Sequence, residues 1–183
     1  PRLLATAHML NLARGLVIAL AILLAAPSMA ALFGCPEATE AFRAIALVPL
    51  IRALMHLDQR LAQRRLDNRQ SLLVEVVPQV VALAATIPLI GWLGGYAAVV
   101  AITLCQAITA IAVSHAVAAT PYRVLADRQI VFRFLRFGWP IMLSAVPLLA
   151  IYQGERMIVG GVLGVEALAG MTAAFLVTMV PGA

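Results

Sequence analysis

LLVEVVPQVVALAATIPLIGWLGGYAAVVAITLCQAITAIAVSHAVAA, residues 72–119, contains two long apolar runs and a single carboxylate, Glu75. The runs are Leu72 to Ile90 and Tyr96 to Ala119, separated by the short break GWLGGY. At about 1.5 Å of rise per residue, each approaches or crosses a hydrocarbon layer about 30 Å thick. Neither run alternates with a charged face, as a helix on a soluble core would.

The same pattern extends in both directions. Further apolar spans run from Leu10 to Phe33, Ala41 to Leu57 and Gly138 to Leu163, and another begins near Val165. The span from Ala41 to Leu57 is at the short limit for a crossing. Hydrophobic residues make up 63% of the chain and charged residues 11%, and the mean hydropathy is +1.00. That balance excludes a soluble domain and predicts an all-α, polytopic membrane bundle. The first span is too long for a signal peptide and has no clear cleavage site after Pro27. With no initial Met and a last span still apolar at Ala183, the sequence reads as an internal piece of a longer chain.

The breaks between spans are of two kinds. LDQRLAQRRLDNRQ carries Arg60, Arg64, Arg65 and Arg69, and TPYRVLADRQIVFRFLRFG carries Arg123, Arg128, Arg133 and Arg136. The alternate breaks GCPEATE, GWLGGY and GVEALAG hold no Arg. Basic loops stay on the cytoplasmic side, so the two Arg-rich segments are expected inside, in agreement with Arg2 and Arg14 near the start. The stretch RQIVFRFLRFG, with Arg interleaved among Phe and Val, is expected to form a short amphipathic helix on the inner leaflet.

A pI near 10.2 is compatible with nucleic-acid binding, but the Arg residues flank spans and line no soluble face, so no nucleic acid is expected. The lipid bilayer and its anionic headgroups are the expected neighbours of these side chains. All 13 basic residues are Arg, with no Lys, which excludes a phosphate-binding Walker loop and a Lys Schiff base within this sequence. His8, His56 and His115 fall on separate segments without ligand spacing, and Cys35 and Cys105 differ in expected depth. Neither a metal site, a disulfide nor a cofactor is therefore expected.

Polar groups inside spans carry the functional information, because a charge at the bilayer centre costs about 2.5–3.5 kcal/mol even on insertion scales. Arg43 stands three residues after Glu40, the spacing of a surface pair. Arg52 lies about 7–8 Å by helical rise from the inner end of its span, which suits either snorkelling to the headgroups or lining a hydrated cavity. Glu75 and Gln79 share a face at the start of the third span, with Pro78 between them. In the fourth span Thr103, Gln106, Thr109, Ala110 and Ser114 form a stripe of small and polar residues, read either as helix packing or as a cavity wall. Tyr152, Glu155 and Arg156 fall within about 100° of one another on a helical wheel. Glu155 gains nothing from outward snorkelling by Arg156, so an interior cavity is the favoured reading for the group.

Taken in order, LATAHMLNLARGLVIAL, LVPLIRAL, RLAQRRLDNRQ before a span with an early Glu, TPYR, FLRFGWPIMLS and GERMIVGGVLGVEALAG resemble the polysaccharide-exporter branch of the multidrug/oligosaccharidyl-lipid/polysaccharide superfamily, the Wzx-like flippases. The resemblance covers nearly the whole chain and rests on the order of several short motifs. It implies a two-lobed bundle, in which residues 1–119 belong to the N-terminal lobe, 120–137 to a cytoplasmic Arg-rich linker, and 138–183 to the start of the C-terminal lobe. It further implies a non-enzymatic transporter in the cytoplasmic (inner) membrane that moves an undecaprenyl-diphosphate-linked oligosaccharide by alternating access. Arg156, Glu155, Tyr152 and Arg52 are then the candidate substrate contacts, and Glu75 and Glu155 the candidate proton or ion carriers. A multidrug exporter is the alternative within the superfamily, and a membrane-embedded glycosyltransferase or polymerase the alternative outside it. An Arg-lined cavity disfavours organic cations, and no loop is rich enough in carboxylates for metal or acid–base work.

Overall fold

In a computed structural model, residues 2–179 are described, apart from the side chains of Tyr152 and Met179. Among them no strand occurs. The helices are α1 (Arg2–Leu32), α2 (Thr39–Ile45), α3 (Leu47–Ala53), α4 (Asp58–Gln63), α5 (Arg69–Leu93), α6 (Gly95–Ala116), α7 (Arg128–Ile158) and α8 (Gly164–Met179). A 3₁₀ turn, Pro36–Ala38, precedes α2, and a π-helical segment, Val159–Leu163, precedes α8. Five stretches are long and apolar enough to cross a membrane: Arg2–Leu32, Arg69–Leu93, Gly95–Ala116, Arg128–Ile151 and Gln153–Thr178. The chain is therefore a polytopic membrane protein. The last expected span continues into residues 180–183, which lie outside the described residues.

The chain forms two compact units, one from its start to Ala26 with Glu40–Phe132, the other from Pro27–Thr39 with the chain from Arg133 onward. In the first, α5 and α6 make a hairpin, with α3 packed on α6 and α4 on α5. The hairpin turn needs glycine: Gly94 and Gly95 have φ of 64° and 47°, a region that residues with a Cβ enter at a cost. Where α1 meets α3, a Cβ on Gly15 would lie 2.8 Å from the carbonyl oxygen of Pro49 and collide with Ala53 Cβ. The amide of Asn11 donates to the Ala53 carbonyl at the same crossing, at 2.9 Å.

The buried apolar residues are almost all small. Ala5, Ala19, Ala53, Ala98, Ala107 and Ala110 are buried, whereas Leu24, Leu83, Ile87 and Trp92 are more than 70% exposed. Hydrocarbon solvates large side chains as well as a protein core does, so close helix approach falls to small residues. The large residues coat the surface that lipid covers.

Two expectations about elements are corrected. The expected span Ala41 to Leu57 is not one helix: α2 ends at Ile45, α3 begins at Leu47 and ends at Ala53. Pro49 explains the break, since its ring has no N–H to offer and clashes with the carbonyl four residues back, that of Ile45. The expected separate amphipathic helix at 128–138 is instead the first part of α7, which runs without interruption from Arg128 to Ile158. Asp127 caps its start, accepting from the amides of Gln129 at 3.0 Å and Ile130 at 3.3 Å, as an N-cap carboxylate does. In the second unit, Gly164, with φ 87°, turns the chain so that α8 returns against the π segment. Gly160 is buried there beside Phe33 and Leu168.

Candidate functional site: an arginine-lined cavity

The first unit carries a half-open cavity of about 730 Å³. From α1 come Asn11 and Arg14, one turn apart on the same face. Arg52 enters from the last turn of α3, and Gln59 and Arg60 from α4. Glu75, Pro78 and Gln79 of α5 and Gln106 and Ala110 of α6 complete the lining. Three guanidinium groups thus face one carboxylate.

Among the described residues, the one salt bridge joins Arg43 to Glu40, neither of which lines the cavity, on the exposed surface at 2.6 Å. Arg14, Arg52 and Glu75 take part in none, and Arg60 donates only to the amide oxygen of Gln63 at 3.2 Å. A pocket with an excess of unpaired guanidinium groups, flanked by amide side chains that donate and accept, is suited to a multiply charged oxyanion carrying hydroxyl groups.

Of the residues singled out from sequence, Arg52, Glu75, Gln79 and Gln106 therefore line one cavity. The α6 stripe divides: Gln106 and Ala110 face the cavity, whereas Thr103 and Thr109 bond back to the carbonyls of Val99 and Cys105, both at 2.8 Å. Ser114 is buried and bonds to Ile111 O at 2.8 Å. Glu155 and Arg156 belong to the second unit, where the Arg156 guanidinium lies 5.5 Å from the centre of the Phe175 ring, within cation–π range. The side chain of Tyr152 lies outside the described residues.

Sequence reading gives Arg14 and Arg60 only as topology signals at the ends of spans and passes over Asn11 and Gln59. The i, i+3 spacing of Asn11 and Arg14 was the available signal; no local pattern marks Gln59 and Arg60.

It also passed over a cluster beside the cavity. His8, His56 and His115, distant in sequence, meet around Tyr122: ring centres lie 4.9 Å apart for His8 and His56, 5.5 Å for His56 and His115, and 4.3 Å for His8 and Tyr122. Asp58 fastens the neighbouring backbone, its carboxylate accepting from the amides of Ala119 and Thr120, both at 2.8 Å, and from the Thr120 hydroxyl at 2.9 Å. Burial alone would raise this carboxyl, but those three donors, with His56, outweigh it and leave it below the ordinary Asp range. Burial holds the His56 imidazole below the usual histidine value against the opposing pull of Asp58, with His8 and His115 adding to the lowering. Burial likewise pushes the Tyr122 phenol up.

Fold and cavity together define a polytopic membrane protein with a cationic pocket between its helices. The chain belongs to the polysaccharide biosynthesis protein family, whose model matches residues 2–183. This agrees with the resemblance carried by the order of its motifs and gives the chain a role in polysaccharide biosynthesis. No curated protein and no solved structure matches it.

Proposed function

We propose that the protein is a flippase that carries lipid-linked oligosaccharide or polysaccharide precursors across the cytoplasmic membrane by alternating access. The observation that carries this reading is the convergence of Arg14, Arg52 and Arg60, without acidic partners, in a cavity between membrane-crossing helices. A diphosphate joining a polyprenyl chain to a sugar supplies the missing negative charge, and guanidinium forks match its oxygens. The amides of Asn11, Gln79 and Gln106 suit the first sugar hydroxyls. No bond in the substrate changes, so the protein acts as a transporter and not as an enzyme.

In this reading residues 1–119 form part of an N-terminal lobe, 120–137 the cytoplasmic linker and 138–183 the beginning of a C-terminal lobe. Glu155 and Arg156 are the candidate contacts of that second lobe. Glu75, the lone carboxylate of the cavity, is the candidate proton carrier. The proposal is tested by complementation of a strain lacking the gene. The full-length Arg52→Gln and Arg14→Gln variants should reach the membrane at wild-type level and lose most surface polysaccharide, while Arg43→Gln, outside the cavity, should retain it. Normal polysaccharide from a stable Arg14→Gln/Arg52→Gln double variant would contradict the reading.

A further inference from the structure

Residues 54–58 join α3, which carries Arg52, to α4, which carries Gln59 and Arg60. Three successive backbone amides of this turn are held by side chains. The His56 amide donates to Ser114 Oγ at 3.1 Å, that of Leu57 to His8 Nε2 at 3.2 Å, and that of Asp58 to the His56 ring at Nδ1, at 3.1 Å. Two of the three acceptors are imidazole nitrogens, so the turn is held only while those nitrogens are unprotonated.

The remaining contacts fix the tautomers. His8 Nδ1 lies 3.0 Å from the carbonyl oxygen of Arg123. A carbonyl can only accept, so Nδ1 carries the hydrogen and Nε2 is the lone-pair nitrogen that accepts from Leu57. In His56 the lone pair at Nδ1 accepts from Asp58, leaving the hydrogen on Nε2, which is buried and has no partner among the described residues. His115 donates through Nε2 to the Leu54 carbonyl at 3.0 Å, holding the start of the same turn. A second proton can enter His8 only at Nε2 and His56 only at Nδ1. Either proton displaces a backbone N–H of the turn.

We propose that the His8–His56–Tyr122 cluster is a proton-binding site that works as a latch: when empty it fastens the segment 117–127 and the 54–58 turn to α1 and α6, and protonation releases both. The segment is held to the cluster by its own contacts. Tyr122 stacks on His8, the Arg123 carbonyl accepts from His8, and Ala119 and Thr120 are tied to Asp58. The titratable and charged groups facing His56 are His8 from α1, Asp58 from α4, His115 from α6, and Tyr122 with its neighbour Arg123 from the segment. Of these groups Asp58 alone favours a positive ring, with the Thr120 backbone beside it, and the Asp58 oxygens are already engaged by Ala119 and Thr120. Because the freed turn leads directly into Gln59 and Arg60, protonation also loosens one wall of the cavity. That last consequence rests on the cavity reading above, whereas the latch does not.

The sign follows from the depressed His56 value. Above the ordinary histidine value near 6.5 the latch is fully closed; it weakens as pH falls through that value toward the lower one of the closed state. The test is hydrogen exchange by mass spectrometry on the full-length protein in lipid nanodiscs, without ligand, between pH 7.5 and 5, corrected for intrinsic exchange. Protection of peptides covering 54–60 and 117–125 should fall roughly threefold or more, with its midpoint below the ordinary histidine value near 6.5, while a peptide covering 99–110 in α6 stays constant. The His8→Gln/His56→Asn double variant places amide oxygens where Nε2 and Nδ1 accept, and these cannot be protonated in that range. It should remain protected throughout. Constant protection in the wild type, or a midpoint below pH 4 that assigns the change to Asp58, would overturn the proposal. So would an equal acid loss in a folded double variant. Arg52→Gln should leave the exchange profile unchanged, so failure of the anion-cavity reading and failure of the latch are separable.

Discussion

Asp58 shows how one side chain organises its surroundings. It accepts from the backbone of residues 119 and 120 and from the Thr120 hydroxyl, closing the C-terminal end of α6 onto the start of α4. Asp58→Ala leaves two amides without an acceptor and should cost about 1–3 kcal/mol, read as a lower midpoint of thermal unfolding in detergent. Because the carboxyl is held below its ordinary value, its contribution is complete above about pH 4 and is lost as pH falls through the folded-state value. Between pH 5 and 8 the variant's deficit should therefore be constant, and a deficit that vanished at pH 5 would contradict the assignment. At this scale the sequence is informative only where a residue is costly in hydrocarbon. Arg52, Glu75 and Gln106 stand out on that criterion. Arg14 and Arg60 do not, because near the ends of spans an Arg is cheap and reads as a topology signal. The histidines were invisible for another reason: their meeting depends on three segments separated by dozens of residues packing at one level.

Elements were more legible than sites. Hydropathy and length placed α5 and α6 within three residues of their observed limits and found the end of α1 but not its start, which lies eight residues earlier, at Arg2, since in lipid a continuous helix is the way an apolar run satisfies its own backbone. The exceptions have local causes. Pro49 divides the second expected span, and the Asp127 cap starts α7 ten residues before the apolar run from Gly138. Packing between elements depends on small residues, and Gly15 gives a direct test. Gly15→Ala pushes a methyl into Pro49 and Ala53 and should destabilise by about 1–3 kcal/mol, parting α1 from α3 where Asn11 bonds Ala53. Gly91→Ala in α5, whose added Cβ meets nothing within 4 Å, should be neutral or stabilise by up to about 1 kcal/mol. Thermal unfolding of the two variants side by side checks the contrast, and equal effects would mean that α1 and α3 are not in close contact.

For the whole molecule, composition alone identified a membrane bundle, and the order of short motifs matched the family to which the chain belongs. The cavity could not be read in advance, because it is made by five helices whose contributions lie from Asn11 to Ala110. Its chemistry nevertheless follows from a simple imbalance, three guanidinium groups to one carboxylate, which asks for a polyanion. The most direct measurement is transport by the full-length protein in proteoliposomes, following a fluorescent polyprenyl-diphosphate-linked sugar from one leaflet to the other. The wild type should move it, Arg14→Gln/Arg52→Gln should slow it by roughly tenfold or more, and a neutral lipid-linked sugar lacking the diphosphate should not be carried. Equal movement of the charged and neutral lipids, or wild-type rates in the double variant, would contradict an anion-binding flippase.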